Sequence, residues 1–198
     1  MDEPRDRVEA FERHVRIQFE SLASWAKDEG SLLKSSDIPP RAYEKCGREH
    51  EVYHHQAARR FWKSTFPGES GFGPFGYYTP AGYLQRLRLS NHVFGDDVRF
   101  EGMWRRRKGW SIVTSQQYIH PHPLRFIPTE KEIKTYLRDL GFRKNDRTRH
   151  WQRDDGVELG DTHDRNFIRT PDENIVAIDV QPRLMEGADW ENVREFEE

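Results

Sequence analysis

Cysteine is nearly absent from this 198-residue chain, in which Cys46 is the only one. A single cysteine cannot form a disulfide within the chain, and it excludes a metal cluster built from cysteines alone. We therefore expect the fold to be stabilised by packing, hydrogen bonds and ion pairs.

Long apolar runs are also missing. No stretch approaches the roughly 20 apolar residues that a membrane-spanning helix needs. The N-terminal sequence Met-Asp-Glu-Pro-Arg-Asp lacks the apolar core of a secretion signal. We therefore expect a cytoplasmic protein without a membrane partner. The formal net charge of −2 gives no reason to expect bulk attraction to nucleic acid.

The chain is polar but not disordered in composition. Hydrophobic residues make up 34% and charged residues 33%, while 13% are aromatic and recur in periodic segments. This length fits one ordinary domain, or two small lobes that share a cleft. We expect a modest core that is rich in aromatic residues.

The first half predicts a helix followed by strands. Apolar residues recur every three or four positions from Val8 to Ala26, and Gly30 is a suitable stop. This helix could pack on the domain or serve as an interaction arm. A polar, proline-containing linker is expected at 35–40, and a hairpin at Glu49–Tyr53 and Arg59–Thr65.

Further elements follow a glycine-rich loop at Gly68–Gly76. Thr79 and Pro80 predict the start of a helix that runs to about Phe94. Two more strands are expected, at Val98–Trp104 and Trp110–Ser115.

The clearest helix signal lies at Glu130–Leu140, where Thr129 and Glu132 form a capping box. Phe167–Arg169 and Ile175–Val180 are then expected to be short strands that flank a turn.

The most informative stretch for chemistry runs from Leu159 to Val180. Phosphoryl transfer needs a carboxylate that orients the attacking hydroxyl and oxygen ligands that hold magnesium against the phosphates. Asp161 and Asn166 lie five residues apart, and the hairpin returns the chain to Asp179. The three side chains could therefore meet in one cleft. An Asp-rich loop in which Asn166 caps a turn fits the spacing equally well.

The pattern Asp161-x-His163-x-x-Asn166 with Ile178-Asp179 resembles the catalytic loop and metal-binding Asp of the protein kinase-like superfamily, in its aminoglycoside phosphotransferase style. The likeness extends to the kinase-like domains of bacterial polyvalent proteins, which phages and mobile elements carry. It covers roughly residues 45 to 185. The stretches that carry it are 47–53, 61–63, 91–97, 112–116 and 178–181.

The resemblance implies a role for each matched residue. Asp161 would be the catalytic base, with His163 orienting it or touching phosphate, and Asn166 and Asp179 would be the magnesium ligands. Lys63 would contact the phosphates of ATP, although a solvated strand lysine is the alternative. The adenine would face a hinge between lobes, formed by Gln116, Gln117 and Tyr118.

Several features depart from the kinase pattern. The helix at 79–94 has no acidic residue to orient Lys63, so Gln85 or Asn91 would have to substitute. Leu159 stands where a histidine is usual. The chain also ends soon after Asp179, which leaves no room for the helical substrate platform of a full protein kinase.

Three other patterns in the sequence point to different functions, but each is weaker than the kinase-like pattern. The glycines of 71–76 match a dinucleotide-binding pattern, but no βαβ series surrounds them. The pairs His54-His55 and His120-Pro121-His122 lack the helical spacing of a zinc protease. The basic turn at 104–108 could contact nucleic acid, although a solvated hairpin tip is the better explanation.

We expect an α+β fold: a reduced bilobal kinase-like domain with a small antiparallel sheet and a truncated C-terminal lobe. Residues 1–44 would be a helix and linker, 45–185 the domain and 186–198 an acidic tail. The function implied is transfer of phosphate from ATP, with magnesium, to a hydroxyl of a protein or small molecule. The alternative is a catalytically weak or inactive binding module that acts through a protein partner.

Overall fold

The computed structural model describes residues 3–42, 49–68 and 79–195. Cys46, most of the glycine-rich loop and the last three residues lie outside this range, as does the 71–76 dinucleotide-like pattern. The chain divides into two compact units. The second begins with Arg86–Asp97 and contains the chain from Tyr118 onward. No helix in the described ranges combines the length and apolar character that a membrane span requires.

The first unit consists of two helices on a five-stranded sheet. Its elements are α1 (Glu3–Asp28), β1 (Leu32–Leu33), β2 (His50–His55), β3 (Arg60–Thr65), the beginning of α2 (Pro80–Phe94), β4 (Arg99–Arg106) and β5 (Gly109–Gln117). The strand order is β1-β4-β5-β3-β2. All pairs are antiparallel except β1 with β4. Both predicted hairpins are confirmed, and β4 and β5 extend beyond their predicted ends.

The parallel strand β1 was not predicted, because two leucines give no periodic signal. Its approach depends on Gly102, where the register of β4 with β5 shifts and φ is +150°. A Cβ at this position would collide with the carbonyl oxygen of Ser31. That oxygen instead accepts a hydrogen bond of 3.0 Å from the Met103 backbone. Glycine here lets the chain leaving α1 join the sheet.

Both helices of this unit place apolar or aromatic side chains against the sheet. On α1, Phe19, Ala23 and Ala26 are buried, and the ring of Trp25 lies 5.6 Å from that of Phe100. Of the two roles expected for this helix, packing is the one observed. The start of α2 is confirmed, since the Thr79 hydroxyl accepts a 3.1 Å hydrogen bond from the Gly82 backbone.

The linker expected at 35–40 contains structure of its own. Ser35–Asp37 forms a 3₁₀ turn, and the Asp37 carboxylate accepts a 2.7 Å hydrogen bond from the Lys34 backbone. Pro40 and Ala42 then bond to the backbone of β2, at His54 and Val52. The domain boundary at residue 45 stays a prediction.

The second unit packs α2 and α3 with short strands. Its elements after α2 are α3 (Glu130–Asp139), β6 (Arg143–Lys144), β7 (Trp151–Gln152), β8 (Val157–Gly160), β9 (Phe167–Arg169), β10 (Ile175–Ala177) and β11 (Gln181–Leu184). The predicted α3, its capping box and the β9–β10 hairpin are confirmed. The α+β fold class is therefore confirmed as well.

A four-stranded antiparallel sheet, of order β11-β8-β7-β6, was missed in this unit. We expected only helices and one hairpin. Each of these strands has between two and four residues. Such short segments do not show the alternation by which strands are recognised in a sequence. The buried strand β8 is the element that leads directly into Asp161.

Candidate functional site

Two strand ladders of the second unit bring Asp161, Asn166 and Asp179 into one neighbourhood. Asp161 directly follows β8, whose last residue Gly160 pairs with Gln181 of β11. Asn166 directly precedes β9, and its carbonyl accepts a 2.9 Å hydrogen bond from the backbone of Ile178. The ladders therefore frame the loop after β8 and the short connection between β10 and β11.

Asn166 links the two segments through its side chain. Its Nδ2 donates to the backbone carbonyl of Asp161 at 2.7 Å and to that of Asp179 at 3.2 Å. The residue is only 6% exposed. Because both bonds use Nδ2, the carbonyl oxygen Oδ1 is the side-chain atom that could ligate a metal. The sequence left two roles open for Asn166, a turn cap and a metal ligand. The two roles are compatible, because the first uses Nδ2 and the second would use Oδ1.

Asp161 is held in an unusual backbone conformation beside His163. Its φ of +53° lies in the left-handed region, which costs an L-residue energy and is found mainly where surrounding structure enforces it. The carboxylate oxygen Oδ1 lies 3.3 Å from Nε2 of His163, with the Asp161 side chain 34% exposed. The Asp161 carboxylate is therefore partly accessible to solvent and lies next to the imidazole of His163.

Asp179 is positioned differently from our expectation. The strand predicted at Ile175–Val180 includes Asp179, but β10 ends at Ala177, and Asp179 is an exposed residue between β10 and β11. Its backbone is held by the Asn166 side chain instead of by a strand ladder. The buried side-chain amide of Asn166, and not a strand, therefore positions Asp179.

Helix α3 supports the hairpin that carries Asn166. The ring of Tyr136 packs edge-on against that of Phe167 at 6.1 Å, and burial raises the pKa of the Tyr136 hydroxyl. Arg169 of β9 forms ion pairs with Glu132 at 2.5 Å and with Glu173 at 3.0 Å. Sequence reasoning missed Arg169, whose only local signal is its spacing of four residues from Glu173.

Lys63, Gln116 and Gln117 belong to the first unit. Lys63 is half-buried in β3, between Val52 of β2 and Thr114 of β5. Gln116 is buried and Gln117 exposed at the end of β5. The boundary between the units falls after Gln117, at the segment predicted to be a hinge. Tyr118, in the second unit, packs its ring edge-on against His120 at 4.8 Å.

Tyr83 of α2 reaches the sheet, a contact that the sequence did not predict. Tyr83 is 1% exposed, and its hydroxyl lies 3.1 Å from Nε2 of His50 and 3.5 Å from the Thr114 hydroxyl. Gln85, one of the two suggested substitutes, is exposed. Because Thr114 is the cross-strand neighbour of Lys63, Tyr83 places a polar group near the lysine strand without supplying a charge.

The other histidines and the basic turn make contacts within the protein. Rings of His54 and His55 lie 5.1 Å from Phe61 and 5.8 Å from Trp62. The guanidinium of Arg106 stacks 4.6 Å from the ring of Trp104. Within the described ranges, no three His, Cys, Asp or Glu side chains are grouped so that they could hold a metal. A site of the Asn166–Asp179 kind would rely on one carboxylate and one amide oxygen.

Comparison with known proteins identifies the family to which the chain belongs. Residues 16–186 match the family model described as a serine/threonine/tyrosine kinase found in polyvalent proteins. No curated protein and no solved structure gives a match. The matched range includes every residue of the candidate site, and it begins within α1. The chain therefore belongs to the family of serine/threonine/tyrosine kinases found in polyvalent proteins.

Proposed function

We propose that this chain is a phosphotransferase that uses ATP and magnesium to phosphorylate a hydroxyl group. The observation that carries the proposal is the buried Asn166 amide, which bonds to the backbones of Asp161 and Asp179 and gathers all three residues. Membership of a kinase family supports the same chemistry.

The donor atoms of this cluster suit magnesium. Mg²⁺ prefers hard oxygen ligands and usually takes only one or two carboxylates from a protein, the rest coming from phosphates and water. Oδ1 of Asn166 and the carboxylate of Asp179 would hold the ion. A magnesium ion held there would supply positive charge that offsets the negative charge of the ATP phosphates.

Asp161 would act on the acceptor. A carboxylate at the surface can accept a hydrogen bond from a substrate hydroxyl, orient its oxygen toward the transferred phosphate and take its proton. His163, 3.3 Å away, would hold this carboxylate in position. Lys63 would contact the phosphates, while Gln116, Gln117 and Tyr118 would face the adenine. The acceptor would be a protein or a small molecule.

The experiment compares Asp161→Asn with Asp164→Asn, a matched change at an exposed residue of the same loop. ATP binding is measured by calorimetry with and without magnesium, and phosphate transfer from labelled ATP is measured on generic acceptor proteins and on the chain itself. We expect tighter ATP binding with magnesium. Asp161→Asn should abolish transfer and leave ATP affinity within a few fold, because a base acts chiefly in the transition state.

Failure would be plain in either measurement. The absence of ATP binding under both conditions would contradict the proposed phosphotransferase activity. Unchanged phosphate transfer in Asp161→Asn would show that Asp161 is not the base. Asp164→Asn should behave as the unsubstituted protein does, so an equal loss there would show that general charge in the loop matters instead.

A second candidate function is a non-catalytic kinase-like module that acts through a protein partner. It is favoured by α2, which carries no acidic residue and reaches the lysine-bearing sheet through the neutral Tyr83. ATP binding without phosphate transfer to any acceptor would support this module over the enzyme.

A further inference from the structure

A basic cleft lies in the second unit, at the point where α3 ends and β6 begins. Its volume is about 610 Å³. The lining residues come from the last turns of α3, the connection and β6 with its following turn: Lys134, Arg138, Gly141, Phe142, Arg143, Lys144 and Asp146. Four of these seven residues are cationic and one is acidic. None of them belongs to the candidate phosphotransfer site.

Half of the positive charge in this cleft is not balanced by acidic groups, since its four cations face only Asp146 and Glu130 in the described part of the chain. Lys134 pairs with Glu130 at 2.6 Å. Arg138 and Arg143 are exposed, and neither forms an ion pair with another residue in the part of the chain that the structure describes. Holding several cations together without counter-charges is unfavourable. A bound anion would relieve this repulsion.

The backbone around the cleft is firmly built. Gly141 has φ of +85°, its N–H donates to the Arg138 carbonyl at 2.8 Å, and the Phe142 N–H donates to the Leu137 carbonyl at 2.9 Å. This pair of bonds is a Schellman motif, and Phe142, which is 1% exposed, anchors it in the core. The motif satisfies two of the last carbonyl groups of the helix. Arg138 and Arg143 are thus carried on ordered backbone.

The arrangement of the cationic side chains around the cleft favours a compact dianion, such as a phosphate group, carried by a peptide. Arginine side chains present paired N–H donors that match a phosphate group, and arginine clusters are a recurrent means of recognising phosphorylated segments. Strand β6 is the edge of its sheet and lines the same cleft. An edge strand can pair with an extended peptide through backbone hydrogen bonds.

The same residues are poorly suited to nucleic acid. The aromatic side chain of the cleft, Phe142, is buried and offers no surface on which a base could stack. Asp146 could accept a hydrogen bond from a peptide N–H, a donor that a phosphodiester backbone lacks. We propose that this cleft binds an extended phosphorylated peptide, with Arg138 and Arg143 donating to the phosphate, Lys134 and Lys144 adding charge, and β6 pairing with the peptide backbone. The proposal does not depend on phosphotransfer by this chain.

The test uses a fluorescein-labelled, degenerate eleven-residue peptide library with a central phosphoserine, and the same library with serine. Binding to the full chain is followed by fluorescence anisotropy, with inorganic phosphate as competitor. The variant Arg138→Gln/Arg143→Gln removes two lining charges, and glutamine preserves helix propensity in α3. The matched control is Lys131→Gln/Arg147→Gln, which removes two exposed charges beside the cleft.

We expect the phosphoserine library to bind the unsubstituted chain at least tenfold more tightly than the serine library, and inorganic phosphate to displace it. Arg138→Gln/Arg143→Gln should weaken this binding at least tenfold, and the control should stay within about twofold. Circular dichroism and thermal melting establish that both variants are folded.

Four results would overturn the proposal. One is equal binding of the two libraries, and another is an equal loss of affinity in the two double variants. The third is tighter binding of a single-stranded oligonucleotide than of the phosphoserine library, which would assign the cleft to nucleic acid. Gain of self-association in Arg138→Gln/Arg143→Gln without any loss of peptide binding would also count against it, since the charges would then serve only to keep the β6 edge unpaired.

Discussion

Two carboxylate environments in this protein differ in what surrounds the charge. In the first unit, Glu51 is 5% exposed and accepts hydrogen bonds from Arg41, Arg106 and the Tyr53 hydroxyl. In the second unit, Asp161 lies at the surface with a single imidazole 3.3 Å away. A saturated, buried carboxylate stabilises a fold, whereas a partly accessible one keeps the capacity to accept a hydrogen bond from a substrate.

The pKa of Glu51 reflects this saturation. Burial raises it, but hydrogen bonds from Arg106 and Tyr53, together with the charges of Arg106 and Arg41, outweigh burial and hold it below its ordinary value of 4.5. Burial and the bond to Glu51 raise the pKa of Tyr53 to about 12. Both groups therefore keep one protonation state across the neutral range, as expected of a structural pair.

The largest effect is expected from Glu51→Gln. The change removes the negative charge between two guanidinium groups, and we expect it to lower the free energy of unfolding by about 2 to 3 kcal/mol. This is less than for a fully buried pair, because the Arg41 side chain is 49% exposed and can hydrate. Urea denaturation followed by tryptophan fluorescence measures the loss. Glu29→Gln, at an exposed glutamate, is the control, and equal stability of the two variants would show that Glu51 is not a structural charge.

The next effect in size concerns Asn166→Asp. A carboxylate can no longer donate to the carbonyls of Asp161 and Asp179, and it brings negative charge against both oxygens. We expect a loss of about 2 kcal/mol in unfolding free energy. If Asn166 served only as a metal ligand, aspartate would be an adequate replacement and stability would be retained. Urea denaturation decides between these outcomes, with Asn174→Asp in the exposed β9–β10 turn as the control.

A smaller effect is expected at Glu132, a surface carboxylate that is saturated like Glu51. Hydrogen bonds from the Thr129 side chain and backbone, then from Arg169, lower its pKa to about 2. Because the folded pKa is depressed, this group stabilises the fold above its unfolded value of 4.5 and loses that contribution as the pH falls toward 2. Thr129→Ala should cost about 1 kcal/mol at neutral pH through loss of the cap.

The pH dependence sharpens this prediction. Without the Thr129 hydroxyl, the folded pKa of Glu132 should rise, so stability should be lost over a narrower range below pH 4.5. Urea denaturation at several pH values between 2 and 7 measures this. The same pH profile in the unsubstituted protein and in Thr129→Ala would show that the cap does not set the ionisation of Glu132.

The smallest effect is expected from His163→Gln, if the chain transfers phosphate. The His163 side chain is 53% exposed, and a solvated ion pair contributes at most about 1 kcal/mol, so the rate should fall by no more than about fivefold. As a positioning residue, His163 should affect kcat and leave the KM for ATP unchanged, because it would act on the Asp161 carboxylate and not on the nucleotide. A loss as large as that in Asp161→Asn, or a matching rise in the KM for ATP, would contradict a positioning role. His14→Gln, on the exposed side of α1, is the control.

Sequence patterns predicted the longer elements well. The strands β2 to β5 and the helices α2 and α3 carry periodicity or capping residues over many positions, and their predicted bounds lie within a few residues of those observed. The strands β1, β6, β7, β8 and β11 were missed, because two to four residues carry no period. Arg138 and Arg143 were missed as well, since a helix and an edge strand form their cleft only after the chain has folded.

The sequence alone indicated the family, which the family match shows, and it predicted the candidate site residues Lys63, Asp161, Asn166 and Asp179, because their identities and order are read directly from the chain. Tertiary structure decided how the site in the second unit is held together. The Asn166 amide reaches Asp179 across 13 residues only because β8 pairs with β11 and β9 with β10. It likewise decided that Glu51 is a structural charge, since Arg106 lies 55 residues away in the chain. Long-range pairing of this kind depends on strand register, which no local pattern of residues specifies.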